Sequence, residues 1–236
     1  MIPWLRRSDP FPPIESALDD PNGLLAAGGT LDVPRLLDAY RRGIFPWSSE
    51  GQPLLWWSPD PRMVLFTDEF TPSRSLRRRI REARFDVGID TACDDVIAEC
   101  AGPREGQAGT WITPEVRSAY GELHRRGYVH SVETWRAGRL VGGLYGVTLG
   151  RVFFGESMFA HEADASKVAL AHLVERLRAL DVPLIDCQQE TAHLASLGGQ
   201  PITRARFAVL LSELIHSTEA PAGWSAEVAT RHPTST

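Results

Sequence analysis

The spacing of apolar residues predicts helices and strands along most of the chain. Leu36, Leu37 and Tyr40 recur at helical spacing, which predicts a first helix. Pro34 suits the first turn of that helix, and Gly43 marks its end. Further helices are predicted over residues 73–84, 90–100, 114–126, 165–180 and 203–215. Short strands are predicted at residues 63–66 and 183–187, with an antiparallel meander over residues 130–135, 140–148 and 152–158.

The order of these elements indicates the fold class and the division into domains. Strands followed by a long helix, a further strand and a last helix favour an α+β layer structure over strict βαβ alternation. Proline on both sides of Asp60 is typical of a rigid connector, which places a domain boundary near residue 61. We therefore expect a small domain over residues 1–61, a larger domain over residues 62–216 and a mobile tail over residues 217–236.

Composition is that of an ordinary globular protein. The 236 residues are 43% hydrophobic, which is enough to bury a sizeable core. No apolar run approaches the roughly 20 residues that span a bilayer, and the amino terminus does not resemble a secretory signal. We therefore expect a cytoplasmic protein without a membrane partner. The cysteines are too widely spaced for a zinc knuckle and are interpreted as buried thiols: Cys93, Cys100 and Cys187.

Arginine gathers in one segment of an acidic chain. The net charge is -5, so the overall charge does not point to a nucleic-acid partner. Six arginines nevertheless fall within residues 74–84, opposed only by Glu82. Four of them line one face of the predicted helix: Arg74, Arg77, Arg78 and Arg81. Together with clustered tryptophans they fit a nucleic-acid ligand, although a solvated charged face and core-filling tryptophans are the alternatives.

Two acids in apolar strands carry the candidate chemistry. Asp186 and Gln188 lie two residues apart in a buried strand, so strand alternation predicts that they share a face, where Gln188 can orient a proton relay. Glu156 lies within the apolar residues 152–159, where a carboxylate is costly unless a cation or donors meet it. A strand-end carboxylate bonded to backbone, and a glutamate that faces water, are the alternatives. Sequence motifs for nucleotide, dinucleotide or catalytic zinc binding are absent.

Nine segments, taken in order, resemble the leucyl/phenylalanyl-tRNA-protein transferases. They are PNGLLAAGG (21–29), RGIFPW (42–47), LWWSPDPR (55–62), GTWI (109–112), LVGGLYGV (140–147), FGESMF (154–159), ASK (165–167), LIDCQ (184–188) and ASLG (195–198). The resemblance implies an enzyme that moves Leu or Phe, or Met, from aminoacyl-tRNA to proteins with N-terminal Arg or Lys, which creates a degradation signal. It also implies a small N-terminal α/β domain and a larger acetyltransferase-like domain with a mixed, mainly antiparallel sheet.

The same resemblance implies roles for individual residues. The terminal adenosine of the tRNA would be held by Trp47 and Trp111. The pocket for the leucyl or phenylalanyl side chain would have Glu156 beside it and would be lined by Leu144, Met158, Leu173 and Ile185. The catalytic pair would be Asp186 and Gln188. The acceptor arm of the tRNA would meet Arg74, Arg77, Arg78 and Arg81.

An aminoacyl ester is already activated, so we expect no metal and no cofactor, and we expect a monomer. Two other classes of function stay open on the sequence. One is an acetyl-CoA-dependent acyltransferase on the same scaffold, and the other is a tRNA-binding module without catalysis.

Overall fold

The computed structural model describes residues 1–49, 51–102, 110–217, 219–220, 222–224 and 227–228. The helices are α1 (Val33–Arg41), α2 (Arg74–Arg81), α3 (Cys93–Cys100), α4 (Pro114–Arg125), α5 (Ala165–Ala179), α6 (Ala192–Ser196) and α7 (Arg204–Leu214). The strands are β1 (Trp4–Leu5), β2 (Leu24–Gly28), β3 (Phe45–Pro46), β4 (Leu55–Trp57), β5 (Arg62–Phe66), β6 (Asp86–Ile89), β7 (Val129–Arg136), β8 (Arg139–Leu149), β9 (Val152–Ala160), β10 (Leu184–Gln188), β11 (Gln200–Ile202) and β12 (Glu227–Val228).

Two sheets form the scaffold. The smaller has the strand order β1-β2-β4-β3, and the larger has the order β11-β5-β10-β9-β8-β7-β6-β12. Among the described strands of the larger sheet, only β9 and β10 run parallel, and α5 connects them, whereas the other neighbours are antiparallel. The α+β class with a mixed, mainly antiparallel sheet is therefore confirmed, and the predicted meander corresponds to β7, β8 and β9.

Capping side chains explain where the helices begin. The Asp32 carboxylate accepts the backbone N–H of Arg35 at the start of α1, and Ser73 accepts that of Leu76 at the start of α2. Thr113 caps α4 in the same way by accepting the N–H of Val116. All six predicted helices are present, with bounds that differ by a few residues. The short helix α6 and the strands β6 and β11 were not predicted, because each is too short for a periodic pattern.

The larger sheet carries apolar layers on both faces. Phe153 packs in a cluster with residues of α2 and α5, whereas Phe154 packs in a second cluster with residues of α1, α3 and α4. Leu184 and Ile185 of β10 divide between the same two clusters. Consecutive side chains alternate across the sheet in this way because a strand has a period of two.

The parallel strands β9 and β10 part near the middle of the sheet. Their pairing ends at Phe154 and Asp186, whereas β9 continues to Ala160. Beside this point β9 carries a bulge against β8, where Gly155 and Ser157 pair with consecutive residues and Glu156 is the extra residue. The result is an opening within the sheet that side chains from both faces can reach.

The chain passes from one sheet to the other between β4 and β5, at the Pro-rich connector. The predicted boundary at residue 61 stays a prediction. Most of the predicted mobile tail lies outside the described residues, as does Gly109 of the GTWI segment. The described part of the tail lies on the larger sheet, where Trp224 stacks on His130 at 4.0 Å and β12 pairs with β6.

Candidate active site

A cavity of about 360 Å³ opens where β9 and β10 part. This volume lies within the range of small-molecule sites, which is roughly 300–1,000 Å³. Eight of the residues predicted for the site border it: Trp47, Trp111, Leu144, Glu156, Met158, Leu173, Ile185 and Gln188. The fold thus gathers residues from six separate stretches of sequence around one opening.

One wall of the cavity is apolar. Leu144 of β8, Leu173 of α5 and Ile185 of β10 are at most 5% exposed and belong to the core layer beneath α5. Met158 of β9 packs against the same layer. These side chains present a dry surface that suits an aliphatic or aromatic group.

The indole side chains of Trp47 and Trp111 border the cavity and differ in exposure. Trp47 is 39% exposed, and its backbone carbonyl accepts the indole N–H of Trp57 at 2.6 Å. The rings of Trp47 and Trp57 meet edge to face with centroids 5.5 Å apart. Trp111 is half-buried and meets Tyr120 edge to face at 6.4 Å. The exposed face of Trp47 can accept a further ring by stacking.

Glu156 is nearly inaccessible and lies at the polar end of the cavity. Its Oε1 accepts the hydroxyl of Tyr40 at 2.7 Å, and its Oε2 accepts the hydroxyl of Tyr120 at 3.0 Å. The side-chain amide of Gln188 donates to Oε1 at 3.3 Å. Burial raises the pKa of the Glu156 carboxyl to about 7, although the two tyrosine hydrogen bonds oppose that rise. The alternative of a glutamate that faces water is therefore wrong.

Asp186 lies behind the cavity, and the prediction that it shares a face with Gln188 is wrong. β10 bulges against β5 after Asp186, and the backbone of Gln188 is left-handed with φ of +63°. This break in alternation turns Gln188 to the cavity together with Ile185 and Cys187, whereas Asp186 is fully buried on the other side.

Arg62 holds the Asp186 carboxylate with two hydrogen bonds. Its Nε donates to Oδ1 at 2.8 Å, and its Nη2 donates to Oδ2 at 2.7 Å. The remaining Nη1 donates to the carbonyl of Gly43, and the guanidinium lies between the rings of Phe45 and Phe207. Oδ1 of Asp186 also accepts the backbone N–H of Gln188 at 2.9 Å, so the pair fixes the turn that carries Gln188.

Three partners of Glu156 and Asp186 were not predicted from the sequence as site residues: Tyr40, Tyr120 and Arg62. Tyr40 was predicted only as an apolar position of its helix, and both tyrosines lie fully buried. A buried tyrosine hydroxyl usually has a hydrogen-bond partner, which was the available indication. Arg62 begins the apolar strand β5, where a cation requires a buried acid.

The arginines of α2 lie apart from this network. α2 packs against α5 and buries Leu76, which leaves Arg74, Arg77, Arg78 and Arg81 exposed. Within the described ranges, only Arg78 of these four forms an ion pair, with Glu82 at 3.4 Å. The neighbouring Arg79 instead pairs with Asp164 and Glu82. The four exposed arginines therefore form a basic surface, which we call the α2 patch.

The described residues contain neither a metal cluster nor a membrane-spanning helix. Among the residues described, no three His, Cys, Asp or Glu side chains group as a metal site. The described helices include none that is both long enough and apolar enough to cross a bilayer.

Comparison with known proteins gives the family. The model of the leucyl/phenylalanyl-tRNA protein transferase family matches residues 64–212, and the model of that family's N-terminal domain matches residues 29–60. The chain belongs to this family. A member from Aromatoleum aromaticum is 59% identical over 229 residues, which cover 97% of each chain. Another from Bordetella avium is 60% identical over 215 residues, covering 87% of this chain and 86% of the relative.

Solved structures offer more distant likenesses. A GCN5-related N-acetyltransferase from Kribbella flavida has a TM-score of 0.38 and 11% identity, covering 70% of this chain and 59% of its own. The structure of L-PGS from Bacillus licheniformis also has a TM-score of 0.38, with 10% identity, covering 71% of this chain and 54% of its own. At such distances the activities of these proteins do not carry over, so the family membership rests on the sequence relatives.

Proposed function

We propose that this protein transfers Leu or Phe from aminoacyl-tRNA to the N-terminal Arg or Lys of acceptor proteins and so forms a peptide bond that marks them for degradation. The observation that carries the proposal is the cavity, which combines an apolar wall, two indoles and a buried acid in a member of this family. The substrates place the reaction in the cytoplasm, and the protein acts as a monomer.

The aminoacyl side chain binds the apolar wall. Leu144, Leu173 and Ile185 are buried by the core behind them, so their positions are set before the ligand arrives. Leucyl and phenylalanyl groups gain free energy by leaving water here, roughly 1.5–3 kcal/mol for full burial of such a side chain. A charged or short polar side chain lacks that gain, which gives the selectivity for apolar donors.

The 3′ adenosine of the tRNA binds between the indoles. Base stacking on an aromatic side chain contributes roughly 1–3 kcal/mol and does not depend on the tRNA's identity. Trp47 offers an exposed ring for this, and Trp57 fixes its backbone. The α2 patch binds phosphates of the acceptor arm through Arg74, Arg77, Arg78 and Arg81, because exposed arginines neutralise phosphates without reading the sequence.

Gln188 orients the attacking α-amino group, and Asp186 acts through Gln188. The Gln188 side chain borders the cavity and bonds Glu156, so it lies where amine and ester would meet. Asp186 is a positioning residue, since its oxygens bond Arg62 and the Gln188 backbone. Holding ester and amine in alignment supplies most of the rate acceleration, because the aminoacyl ester is already activated.

The decisive experiment is transfer of labelled leucine from Leu-tRNA to a peptide that begins with Arg. We expect product with Arg- and Lys-initiated peptides and none with an otherwise identical Ala-initiated peptide. Trp47→Ala should raise the concentration of Leu-tRNA needed for half-maximal rate by roughly tenfold, from the loss of one stacking contact. Binding of the charged tRNA without any transfer would favour a non-catalytic tRNA-binding module instead.

A further inference from the structure

A ring of three hydrogen-bonded groups lies at the polar end of the cavity. It consists of the hydroxyls of Tyr40 and Tyr120 and the carboxyl group of Glu156. Each hydroxyl bonds a different carboxyl oxygen, and the two hydroxyls also bond each other. The members come from α1, α4 and β9, so the ring forms only in the folded chain.

The ring can bind one proton more than its two hydroxyls supply. Three hydrogen bonds need three protons, and the two hydroxyls supply two. An ionised Glu156 therefore leaves one of the three contacts without a proton. A protonated Glu156 donates the third, so that all three contacts are satisfied. The ring has a defined place for one additional proton, on a residue that lines the cavity.

Asp186 offers no such place. Both of its oxygens bond Arg62, Oδ1 also accepts the Gln188 N–H, and its side chain does not border the cavity. Glu156 is thus the acid that a ligand in the cavity can reach.

We propose that Glu156, held by Tyr40 and Tyr120, takes the proton that the attacking amine releases and returns it to the departing tRNA. This inference rests on the transfer reaction proposed above and assigns the proton transfer to a residue. Tyr40 and Tyr120 are positioning residues in this scheme, because they act through Glu156.

The steps balance in protons and electrons. The nitrogen lone pair of the neutral amine attacks the ester carbonyl, and the carbonyl π pair moves to its oxygen. The nitrogen gives a proton to Glu156 as the new N–C bond forms. When the oxyanion collapses, the bond to the tRNA 3′ oxygen breaks with its electron pair on that oxygen. Glu156 then gives the proton to that oxygen, which leaves free tRNA and an ionised Glu156.

The charges around Glu156 agree with this role. After burial, the groups that act most on the Glu156 pKa are the hydroxyls of Tyr40 and Tyr120, which lower it, the Asp186 carboxylate, which raises it, and the Arg62 guanidinium, which lowers it. Burial is the largest influence and raises the Glu156 pKa to about 7, so the carboxyl is partly ionised at neutral pH. A base with a pKa near the working pH is the most effective, because it can both accept and return a proton.

The test is the pH dependence of single-turnover transfer from Leu-tRNA to an Arg-initiated peptide between pH 5.5 and 9. The wild-type rate should rise through two ionisations, one near 7 from Glu156 and one near 8 from the amine. Glu156→Gln should lose the lower ionisation and at least roughly 100-fold in rate, which is the low end for general base catalysis. Leu-tRNA affinity should change little.

Tyr40→Phe and Tyr120→Phe give the more specific readout. Each variant removes a hydrogen-bond donor that favours the ionised Glu156 carboxyl. The apparent pKa assigned to Glu156 in the pH–rate profile should therefore rise by about one unit in each. Tyr128→Phe is the matched control, since it removes the hydroxyl of a half-buried tyrosine outside the ring and should leave the profile unchanged. Circular dichroism would verify that each variant is folded. If Glu156→Gln fails to fold, the tyrosine variants still test the proposal.

The outcomes separate this inference from the proposed function. A wild-type protein that transfers no leucine contradicts the function itself. Wild-type transfer with unshifted profiles in both tyrosine variants contradicts the inference alone. So does a Glu156→Gln rate within about threefold of wild type.

Discussion

Replacing Arg62 by methionine would leave the Asp186 carboxylate buried without its cation. The two side chains are 1% and 0% exposed, so water cannot take the place of the guanidinium. Removing one partner of such a pair costs about 3–5 kcal/mol, because the remaining charge keeps its desolvation penalty. The free energy of unfolding of a typical domain is only about 5–15 kcal/mol, so Arg62→Met should be severely destabilised.

Urea unfolding followed by tryptophan fluorescence measures this cost. The double variant Arg62→Met/Asp186→Leu removes both charges and should recover most of the lost stability. Arg42→Met is the matched control, because the Arg42–Asp38 pair is exposed and its loss should cost less than about 1 kcal/mol. A cost for Arg62→Met no larger than that of the control would refute the reasoning. A double variant as unstable as Arg62→Met would refute it as well.

Three further predictions concern the acid, the patch and the pocket. Burial raises the pKa of the Glu156 carboxyl from 4.5 to about 7 in the folded protein. Its contribution to the free energy of unfolding is therefore fully present below about pH 4.5 and is lost as pH rises through 7. The loss amounts to roughly 3 kcal/mol. Glu156→Gln should therefore gain stability relative to wild type between pH 5 and pH 8 in urea titrations, and a constant difference would contradict this. Arg77→Glu should weaken binding of all charged tRNAs and lower the slope of log affinity against log salt by about one, whereas Arg206→Glu on α7 should not. Leu173→Ala enlarges the cavity at its apolar wall and should favour Phe over Leu as the donor by about tenfold in competitive transfer. An unchanged Phe-to-Leu ratio would exclude Leu173 from donor selection.

Local interactions made much of the fold predictable. Asp32, Ser73 and Thr113 cap helices that begin where the sequence indicated, since each cap bonds a backbone N–H only three residues away. The meander of β7 to β9 was predictable for a similar reason, because the alternation within each strand and the short turn between β7 and β8 are local. The apolar lining of the site was assigned through resemblance to the family and not through any local pattern.

The polar interior of the site depends on contacts distant in sequence. Arg62 and Asp186 are 124 residues apart, and Tyr40 and Glu156 are 116 apart, so periodicity cannot pair them. The residue types around Glu156 and Asp186 did not predict the bulges found there. Each shifts the alternation of its strand by one residue, and the bulge in β10 places Gln188 and Asp186 on different faces.

The hydrogen bond between Tyr40 and Glu156 joins the segment matched by the N-terminal family model to the segment matched by the main one. It constrains how related sequences can diverge. A homologue that loses the acid at position 156 no longer has a use for hydroxyls at positions 40 and 120, and phenylalanine would serve as well there. These three positions should therefore covary across the family, although they lie in separate regions of the chain.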